Sequence, residues 1–115
     1  MDVVIHVDAH FSGVLDKLAQ RCALLMQAGL RVAVVVTDQG VGALKAPFDP
    51  AVATLHQLVA RGLMIAVCEA GLVGRRLRPE QVPPFCARVP VGVVELVRLQ
   101  QQGAAYLTVS DSTYA

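Results

Sequence analysis

The stretch that decides the fold reads Leu63-Met64-Ile65-Ala66-Val67-Cys68-Glu69-Ala70-Gly71-Leu72-Val73-Gly74-Arg75-Arg76. Its five apolar residues before Cys68 are too few for a helix and have no polar residue at alternate positions. That pattern is typical of a central parallel strand covered on both faces. A thiol at the carboxyl end of such a strand lies where open α/β sheets bind their ligands. If a helix starts directly after it, backbone N–H groups and the helix dipole favour a thiolate over a thiol.

Composition limits the size and the class of the protein. The chain has 115 residues, enough for a single domain covering residues 1–115. Its hydrophobic fraction of 55% is high for a soluble protein and its charged fraction of 17% is low. Because a small domain cannot bury that much apolar surface alone, we expect a homo-oligomer or hetero-oligomer. A net charge of +1 gives no reason to expect nucleic acid or anionic lipid as a partner.

The sequence also predicts a compartment. No basic segment with a small-residue cleavage site marks a signal peptide. The longest apolar runs are far shorter than the ~18 residues that a membrane span needs. Cys22, Cys68 and Cys86 are an odd number of cysteines without disulfide-framework or metal-site spacing. We therefore expect reduced thiols, a cytoplasmic location and no metal or organic cofactor.

Apolar runs rich in β-branched residues predict five strands, at residues 3–7, 32–36, 63–68, 85–89 and 105–109. Helical spacing of apolar residues predicts a first helix capped by Ser12 and a second opened by Phe48-Asp49-Pro50, with Asp49 as the N-cap. Pro90 is predicted to start a third helix, in which Val93, Leu96, Val97 and Leu99 or Gln100 share one side. Residues 37–42 are predicted to form a polar, flexible loop, and one helical turn is expected after Pro79.

The three long helices share an ending. Each is followed by a glycine (Gly29, Gly62 or Gly103), and each glycine leads directly into a strand. This repeated order indicates βαβ units with short αβ loops, and therefore parallel strands joined by right-handed crossovers. The sequence predicts a three-layer α/β/α domain with a mostly parallel sheet of about five strands, flavodoxin-like in its strand order.

Polar residues follow three of the predicted strands and would share one edge of the sheet. They are Asp8, His10, Asp38, Gln39, Cys68 and Glu69. Capping and turn formation explain the first four adequately, although a small-molecule cleft formed by Asp8, Asp38 and Cys68 stays open. Cys22 lies on the apolar face of the first helix and fits a packing role. Cys86 also fits packing, with a resolving role left open.

Spacing excludes several familiar cysteine sites. A tyrosine-phosphatase loop needs five residues between cysteine and arginine, whereas six separate Cys68 from Arg75. A rhodanese-type loop wants an arginine two residues after the glycine, and Gly71 is followed by Leu72 and Val73. A redox CxxC motif, the aspartate of a phospho-receiver domain and a dinucleotide-binding fingerprint are also absent from the sequence.

The whole chain resembles the DsrE/DsrF-like family, which includes the TusD-type sulfur-relay subunits. The resemblance is carried by the strand–helix–strand start, the glycine-containing loop after residue 36, and the strand that ends at Cys68. Arg75-Arg76, Val89-Pro90-Val91-Gly92 and the final helix–Gly–strand extend it. The resemblance implies that Cys68 accepts sulfur as a persulfide and passes it to a partner protein, as a sulfurtransferase-like carrier.

The same resemblance implies partners and a site. Arg75 and Arg76 lie near the arginines of active members, offset by about one residue, and are candidates with Asp38 for binding the donor's charged group. Known members form trimers or hexamers, so a homo-oligomer or a hetero-oligomer with related subunits is expected, together with donor and acceptor proteins. The family also contains assembly subunits without the cysteine. The alternative is therefore a non-catalytic oligomeric subunit in which Cys68 is a buried structural thiol.

Overall fold

The structure, a computed structural model, describes residues 1–45 and 49–109. Its strands are β1 (Val3–Val7), β2 (Val32–Val36), β3 (Met64–Cys68), β4 (Ala87–Val89) and β5 (Ala105–Thr108). They form one sheet in the order β4-β3-β2-β1-β5. Every pair of neighbouring strands is parallel. The predicted parallel sheet of five strands is therefore confirmed.

Helices connect these strands. They are α1 (Val14–Gln27), α2 (Gly40–Ala43), α3 (Pro50–Ala60), α4 (Glu69–Gly74) and α5 (Gly92–Gln101), with a 3-10 turn at Pro79–Gln81. Glycines follow α1, α3 and α5 in the left-handed region, with φ values of 85°, 112° and 104° at Gly29, Gly62 and Gly103. The predicted helix–Gly–strand order is confirmed, because glycine adopts this φ without steric cost.

The connections explain the three layers. From β1 to β4 the chain steps across the sheet in one direction, and right-handed crossovers place α1, α3 and α4 on one face. The connection from β4 to β5 runs back across the sheet, so α5 lies on the opposite face, where it contacts β1, β2 and β3. The flavodoxin-like three-layer arrangement is confirmed. The strand order differs from the flavodoxin order 2-1-3-4-5, because the chain reverses its direction only after β4.

The two faces of the sheet separate the core into two clusters. Val3, Ile5 and Val7 pack with the α1 and α3 side chains, whereas Val4 packs with Leu96 of α5 on the other face. This alternation is the period of two expected along a strand. It also places the side chains of alternate residues at the carboxyl end of the sheet on the α5 face.

Three local predictions at element starts are wrong. The N-cap of α1 is Gly13, with φ of 83°, and no side-chain cap is made, so Ser12 does not take that position. Residues 37–42 are not a continuous loop, because the short helix α2 begins at Gly40. This helix packs Val41 into the larger core cluster. Helix α5 begins at Gly92, after Val91 as N-cap, and not at Pro90.

The predicted cap of α3 is confirmed, since the Asp49 carboxylate accepts a hydrogen bond of 2.9 Å from the Ala51 N–H. The inward side of α5 is only partly as predicted. Leu96 and Leu99 are buried, but Val93 and Val97 are 61% and 49% exposed. Phe48 and the polar tail from Ser110 to Ala115 lie outside the described residues.

Candidate functional site

Cys68 is the last residue of β3 and the N-cap of α4. Its Sγ accepts a hydrogen bond from the Gly71 N–H at 3.4 Å. Because the first N–H groups of a helix have no partner within the helix, a side chain at the N-cap position satisfies one of them. The thiol therefore occupies the place that serine or aspartate usually takes, and the predicted helix start after Cys68 is confirmed.

A second backbone donor reaches the same sulfur. The N–H of Gly92, the first residue of α5, donates to Cys68 Sγ at 3.2 Å. The segment before α5 is held against α4 by a hydrogen bond of 3.2 Å from the Ala70 N–H to the Pro90 carbonyl. A Cβ at Gly92 would lie 2.4 Å from Thr37 Cγ2 and 3.1 Å from Cys68 Cβ. Only glycine fits here without displacement of its neighbours.

This position is the switch point of the sheet. After β3 the chain turns to the face that carries α4, whose Leu72 joins the larger core cluster. After β4 it turns to the opposite face, which α5 covers. Ligand sites of open α/β sheets lie in the crevice between two such strands, at their carboxyl ends. Cys68 occupies this crevice with N–H groups of both helices directed at its sulfur.

A cavity of about 420 Å³ opens in front of this thiol. Cys68 itself is 7% exposed and is one of the residues that line this cavity. Besides Cys68, its lining residues are polar (His6, Thr37, Asp38, Arg75), apolar (Val91, Val93, Leu96) or small (Ala70, Gly71, Gly74, Gly92). A volume in this range is usual for small-molecule sites.

Three of the four predicted site residues share this cavity. Cys68, Asp38 and Arg75 line it, and the Arg75 Nε–H donates to the Asp38 carbonyl. Arg75 is the C-cap of α4 and folds back toward β2. Arg76 follows in the left-handed conformation, with φ of 56°, and does not line the cavity. The turn at the end of α4 therefore separates the two arginines.

Asp38 adopts the left-handed conformation directly after β2, with φ of 50°. Aspartate tolerates this region better than most residues, and the turn brings its backbone beside α4, where a Cβ at Gly71 would lie 3.5 Å from the Asp38 nitrogen. Asp8, His10 and Gln39, also considered from the sequence, do not line the cavity. The cleft of Asp8, Asp38 and Cys68 is thus formed without Asp8.

Two polar residues of the cavity were missed by sequence reasoning. His6 interrupts the apolar run of β1, and Thr37 follows β2; both contact each other through His6 Nε2 and Thr37 Oγ1 at 2.7 Å. Thr37 also donates to Asp38 Oδ2 at 3.1 Å. The signal that could have found them is alternation, since His6, Thr37 and Cys68 each follow, by two residues, a residue that faces α5.

The other two cysteines lie in different surroundings. Cys22 and Cys86 are buried, and burial raises the pKa of each thiol to about 12, because the interior disfavours the charged form. Cys22 packs in the larger core cluster, as expected for a structural thiol, and so does Cys86. Neither lines the cavity in front of Cys68.

Two further features of residues 1–45 and 49–109 concern metal binding and membrane insertion. No three or more His, Cys, Asp or Glu side chains in these ranges are grouped so that they could hold a metal ion. Within the same part of the chain, no helix has both the length and the apolar character that crossing a membrane requires.

The fold and the thiol at its switch point define a class of three-layer α/β proteins, and comparison with known proteins gives the family. A model described as the DsrE/DsrF-like family matches residues 6–109. The chain belongs to the DsrE/DsrF-like family. Comparison with curated protein sequences gives no match.

Solved structures agree with this assignment. A protein of unknown function from Methanobacterium thermoautotrophicum, MTH1491, is similar with a TM-score of 0.81 and 25% identity, over 93% of this chain and 97% of that one. The ychN protein from E. coli has a TM-score of 0.71 at 19% identity, over 94% and 99%. BT1422 from Bacteroides thetaiotaomicron has a TM-score of 0.73 at 11% identity, over 94% and 95%. The last two likenesses concern the fold alone.

Proposed function

We propose that this protein is a cytoplasmic sulfur carrier that accepts sulfur as a persulfide on Cys68 and passes it to a partner protein. One observation carries the proposal. Cys68 lines a cavity, and its sulfur accepts hydrogen bonds from two backbone N–H groups. The Gly71 nitrogen lies 3.4 Å and the Gly92 nitrogen 3.2 Å from Sγ. Such donors stabilise negative charge on the atom at which they point. A carrier thiol needs this stabilisation of its thiolate in two steps. It is the attacking group when sulfur is loaded and the leaving group when sulfur is passed on.

The chemistry requires no oxidant. In loading, the Cys68 thiolate attacks the outer sulfur of a donor R–S–SH, an S–S bond to Cys68 forms, the donor S–S bond breaks, and R–S⁻ departs and takes up a proton. In unloading, an acceptor thiolate attacks the outer sulfur of Cys68–S–SH, and the Cys68 thiolate leaves. Each step exchanges one S–S bond for another, so no metal or organic cofactor takes part.

Arg75 supports donor binding in this proposal. Its guanidinium lines the cavity and is held by the hydrogen bond from Nε to the Asp38 carbonyl. A guanidinium pairs well with carboxylate and similar anions, so it is suited to the charged group of a donor. Arg76 does not line the cavity, so its proposed contact is with the part of the donor that stays outside the cavity.

The proposal includes partners. Donor and acceptor would be proteins that carry cysteine, and the chain itself would act as a homo-oligomer, a trimer or hexamer, or as a hetero-oligomer with related subunits. Exposed apolar side chains of α5 support this expectation, because a stable monomer rarely leaves such a group uncovered. Nucleic acid and membrane are not proposed as partners.

Sulfur uptake tests the proposal. The protein is incubated with a low-molecular-weight persulfide, and the intact mass is measured. We expect wild type to gain the mass of one sulfur atom and Cys68→Ser to gain none. Cys86→Ala is the matched control and should load as wild type does, because Cys86 does not line the cavity. Equal uptake by Cys68→Ser would reject Cys68 as the carrier.

A second candidate rests on the burial of the same thiol. At 7% exposure Cys68 also suits a non-catalytic subunit, in which the sulfur only caps α4 and the sheet edge binds another protein. The two candidates differ in the reactivity of Cys68 toward small reagents that fit the cavity: a carrier thiol reacts, and a structural thiol is inert.

A further inference from the structure

A chain of side-chain hydrogen bonds runs from the edge of the sheet to the Cys68 cavity. Tyr106 Oη lies 2.7 Å from His6 Nδ1, and His6 Nε2 lies 2.7 Å from Thr37 Oγ1. Thr37 Oγ1 lies 3.1 Å from Asp38 Oδ2. The last three residues line the cavity with Cys68. Polar side chains from three neighbouring strands are thus joined in one path on the α5 face.

The direction of these hydrogen bonds can be worked out. An ionised carboxylate only accepts, so the single hydroxyl proton of Thr37 is donated to Asp38. Thr37 Oγ1 then has only acceptor capacity left for His6, and His6 Nε2 must carry a proton. Both bonds therefore point from His6 toward Asp38. Together they hold the Asp38 carboxylate in one orientation at the cavity.

Packing fixes this path. Thr37 is the one polar residue in the buried class among residues 1–45 and 49–109, and its methyl group faces Gly92, where a Cβ would come within 2.4 Å of it. Burial of a hydroxyl is costly unless its hydrogen bonds are made. Here both partners of the hydroxyl are other members of the path, so its geometry is specified by the fold.

We propose that the Asp38 carboxylate exchanges the proton with the reacting sulfur groups, and that Thr37 and His6 are positioning residues that orient this carboxylate. The inference rests on the proposed function, because it concerns the proton of the same sulfur transfer. It assigns a task to His6 and Thr37, which the carrier chemistry alone does not require.

The proton balances as follows. Before loading, the proton of the Cys68 thiol passes to the Asp38 carboxylate, which becomes a carboxylic acid. The thiolate attacks the outer sulfur of R–S–SH, an S–S bond to Cys68 forms, the donor S–S bond breaks, and R–S⁻ departs. Asp38 then gives its proton to R–S⁻ and becomes a carboxylate again. The products are Cys68–S–SH and R–SH, and no other reactant is consumed.

Two variants interrupt the path without a large change of shape. Thr37→Val keeps the methyl group against Gly92 and removes the hydroxyl. Asp38→Asn keeps the shape and tolerates the left-handed φ of 50°. In single-turnover transfer of sulfur from the loaded protein to a small thiol, we expect each variant to be slower by on the order of 10²-fold. Thr37→Ser should restore the rate lost in Thr37→Val, because it returns the hydroxyl.

A spectroscopic readout tests the path apart from the reaction. We expect the Nε2-bound proton of His6 in the NMR spectrum of wild type, assigned by its loss in His6→Gln, and its disappearance or rapid exchange in Thr37→Val. Absence of this signal from wild type would overturn the path. Wild-type transfer rates in Thr37→Val and Asp38→Asn would overturn the role in transfer. If wild type takes up no sulfur while the signal is present, the proposed function fails, and the proton role fails with it, although the path exists.

Discussion

At the scale of single residues, the three cysteines lie in two kinds of surroundings, and Cys68 is the one that lines the cavity at the switch point of the sheet. The Cys68 sulfur accepts hydrogen bonds from two backbone N–H groups, and the residue lines this cavity. Cys22 and Cys86 lie in apolar surroundings that keep them protonated. Since a thiolate is the nucleophile in sulfur exchange, the surroundings and not the residue type decide which cysteine can react.

Alkylation at pH 8 measures this difference. We expect iodoacetamide to modify Cys68 in the native protein and to leave Cys22 and Cys86 unmodified, because burial holds the pKa of the latter two at about 12. Peptide mass spectrometry gives the modified fraction of each thiol, and modification of all three in denaturant is the control. Three equally inert native thiols would favour the non-catalytic subunit.

The thiols of Cys22 and Cys86 also make the free energy of unfolding depend on pH in the alkaline range. Their folded pKa is raised above the ordinary value of 9.0, so the folded state holds these protons more tightly than the unfolded state. Their contribution is complete below pH 9 and is lost as the pH rises toward 12. Between pH 9 and 11 we expect the free energy of unfolding to fall by about 1 kcal/mol per pH unit for each thiol.

Urea unfolding under reducing conditions at several pH values checks this expectation. Cys22→Ala should be less stable at pH 8 because it leaves a cavity, but its stability should fall less steeply above pH 9 than that of wild type. Parallel curves for the two proteins would show that the Cys22 thiol does not contribute to the alkaline loss.

The sequence predicted this residue-scale site only in part. Cys68 could be predicted because an apolar run, a polar stop and a helix start follow one another in the chain. Alternation along the strands places His6 and Thr37 on the α5 face, but their contact could not be predicted, because it depends on the register that pairs His6 with Val35 and Val36 with Val67. Arg75 and Arg76 were equivalent in the sequence, and only the turn at the end of α4 distinguishes them.

At the scale of elements, two helix starts meet at one sulfur. Helix α4 begins directly after Cys68, and α5 begins at Gly92 on the other face of the sheet. The sequence predicted the start of α4, because it follows from neighbouring residues. The start of α5 was predicted two residues too early, at Pro90, since the contact that requires Gly92 comes from Thr37 and Cys68, both distant in the chain.

Gly92→Ala tests this meeting of elements. Its Cβ would lie 2.4 Å from Thr37 Cγ2, so α5 must shift and its N–H must move away from Cys68. We expect a loss of about 1–3 kcal/mol in the free energy of unfolding and slower alkylation of Cys68. Both are measured on the same protein, by urea unfolding and by peptide mass spectrometry.

Gly74→Ala is the matched control for this prediction. It lies in α4, and a Cβ there meets no heavy atom within 4 Å. Alanine is the better helix former by about 1 kcal/mol, so the variant should be as stable as wild type or more stable. If Gly92→Ala matched Gly74→Ala in stability and in alkylation, the close approach of α5 to Cys68 would be rejected.

At the scale of the whole molecule, the two faces of the sheet are covered unequally. Helices α1, α3 and α4 pack on one face, and α5 is the one helix that packs on the other within residues 1–45 and 49–109. Val93, Val94 and Val97 form an exposed stripe on α5, with Val94 at 63% exposure. The edge strand β5 adds Tyr106 and Leu107 as exposed residues. Of the nine exposed large apolar side chains in the described residues, six therefore lie on α5, its N-cap or β5.

The exposed stripe on α5 predicts that the protein forms an oligomer. We expect the wild type to sediment as a species larger than a monomer, and Val94→Glu to shift it toward the monomer, because a carboxylate on the exposed stripe cannot be buried without a large cost. Leu24→Glu is the control. Leu24 is equally exposed, but it lies on α1 at the opposite face. A monomeric wild type would contradict the prediction, as would equal effects of the two variants.

A pulse–chase measurement with isotopically labelled sulfur shows whether sulfur enters and leaves the protein through Cys68. The protein is loaded from a labelled low-molecular-weight persulfide, separated from the donor and chased with an unlabelled thiol, with peptides analysed by mass spectrometry at each stage. We expect labelled sulfur on the peptide that contains Cys68 after the pulse, and on the acceptor thiol after the chase. Label on the Cys22 or Cys86 peptide, or label that stays on the protein throughout the chase, would contradict this expectation.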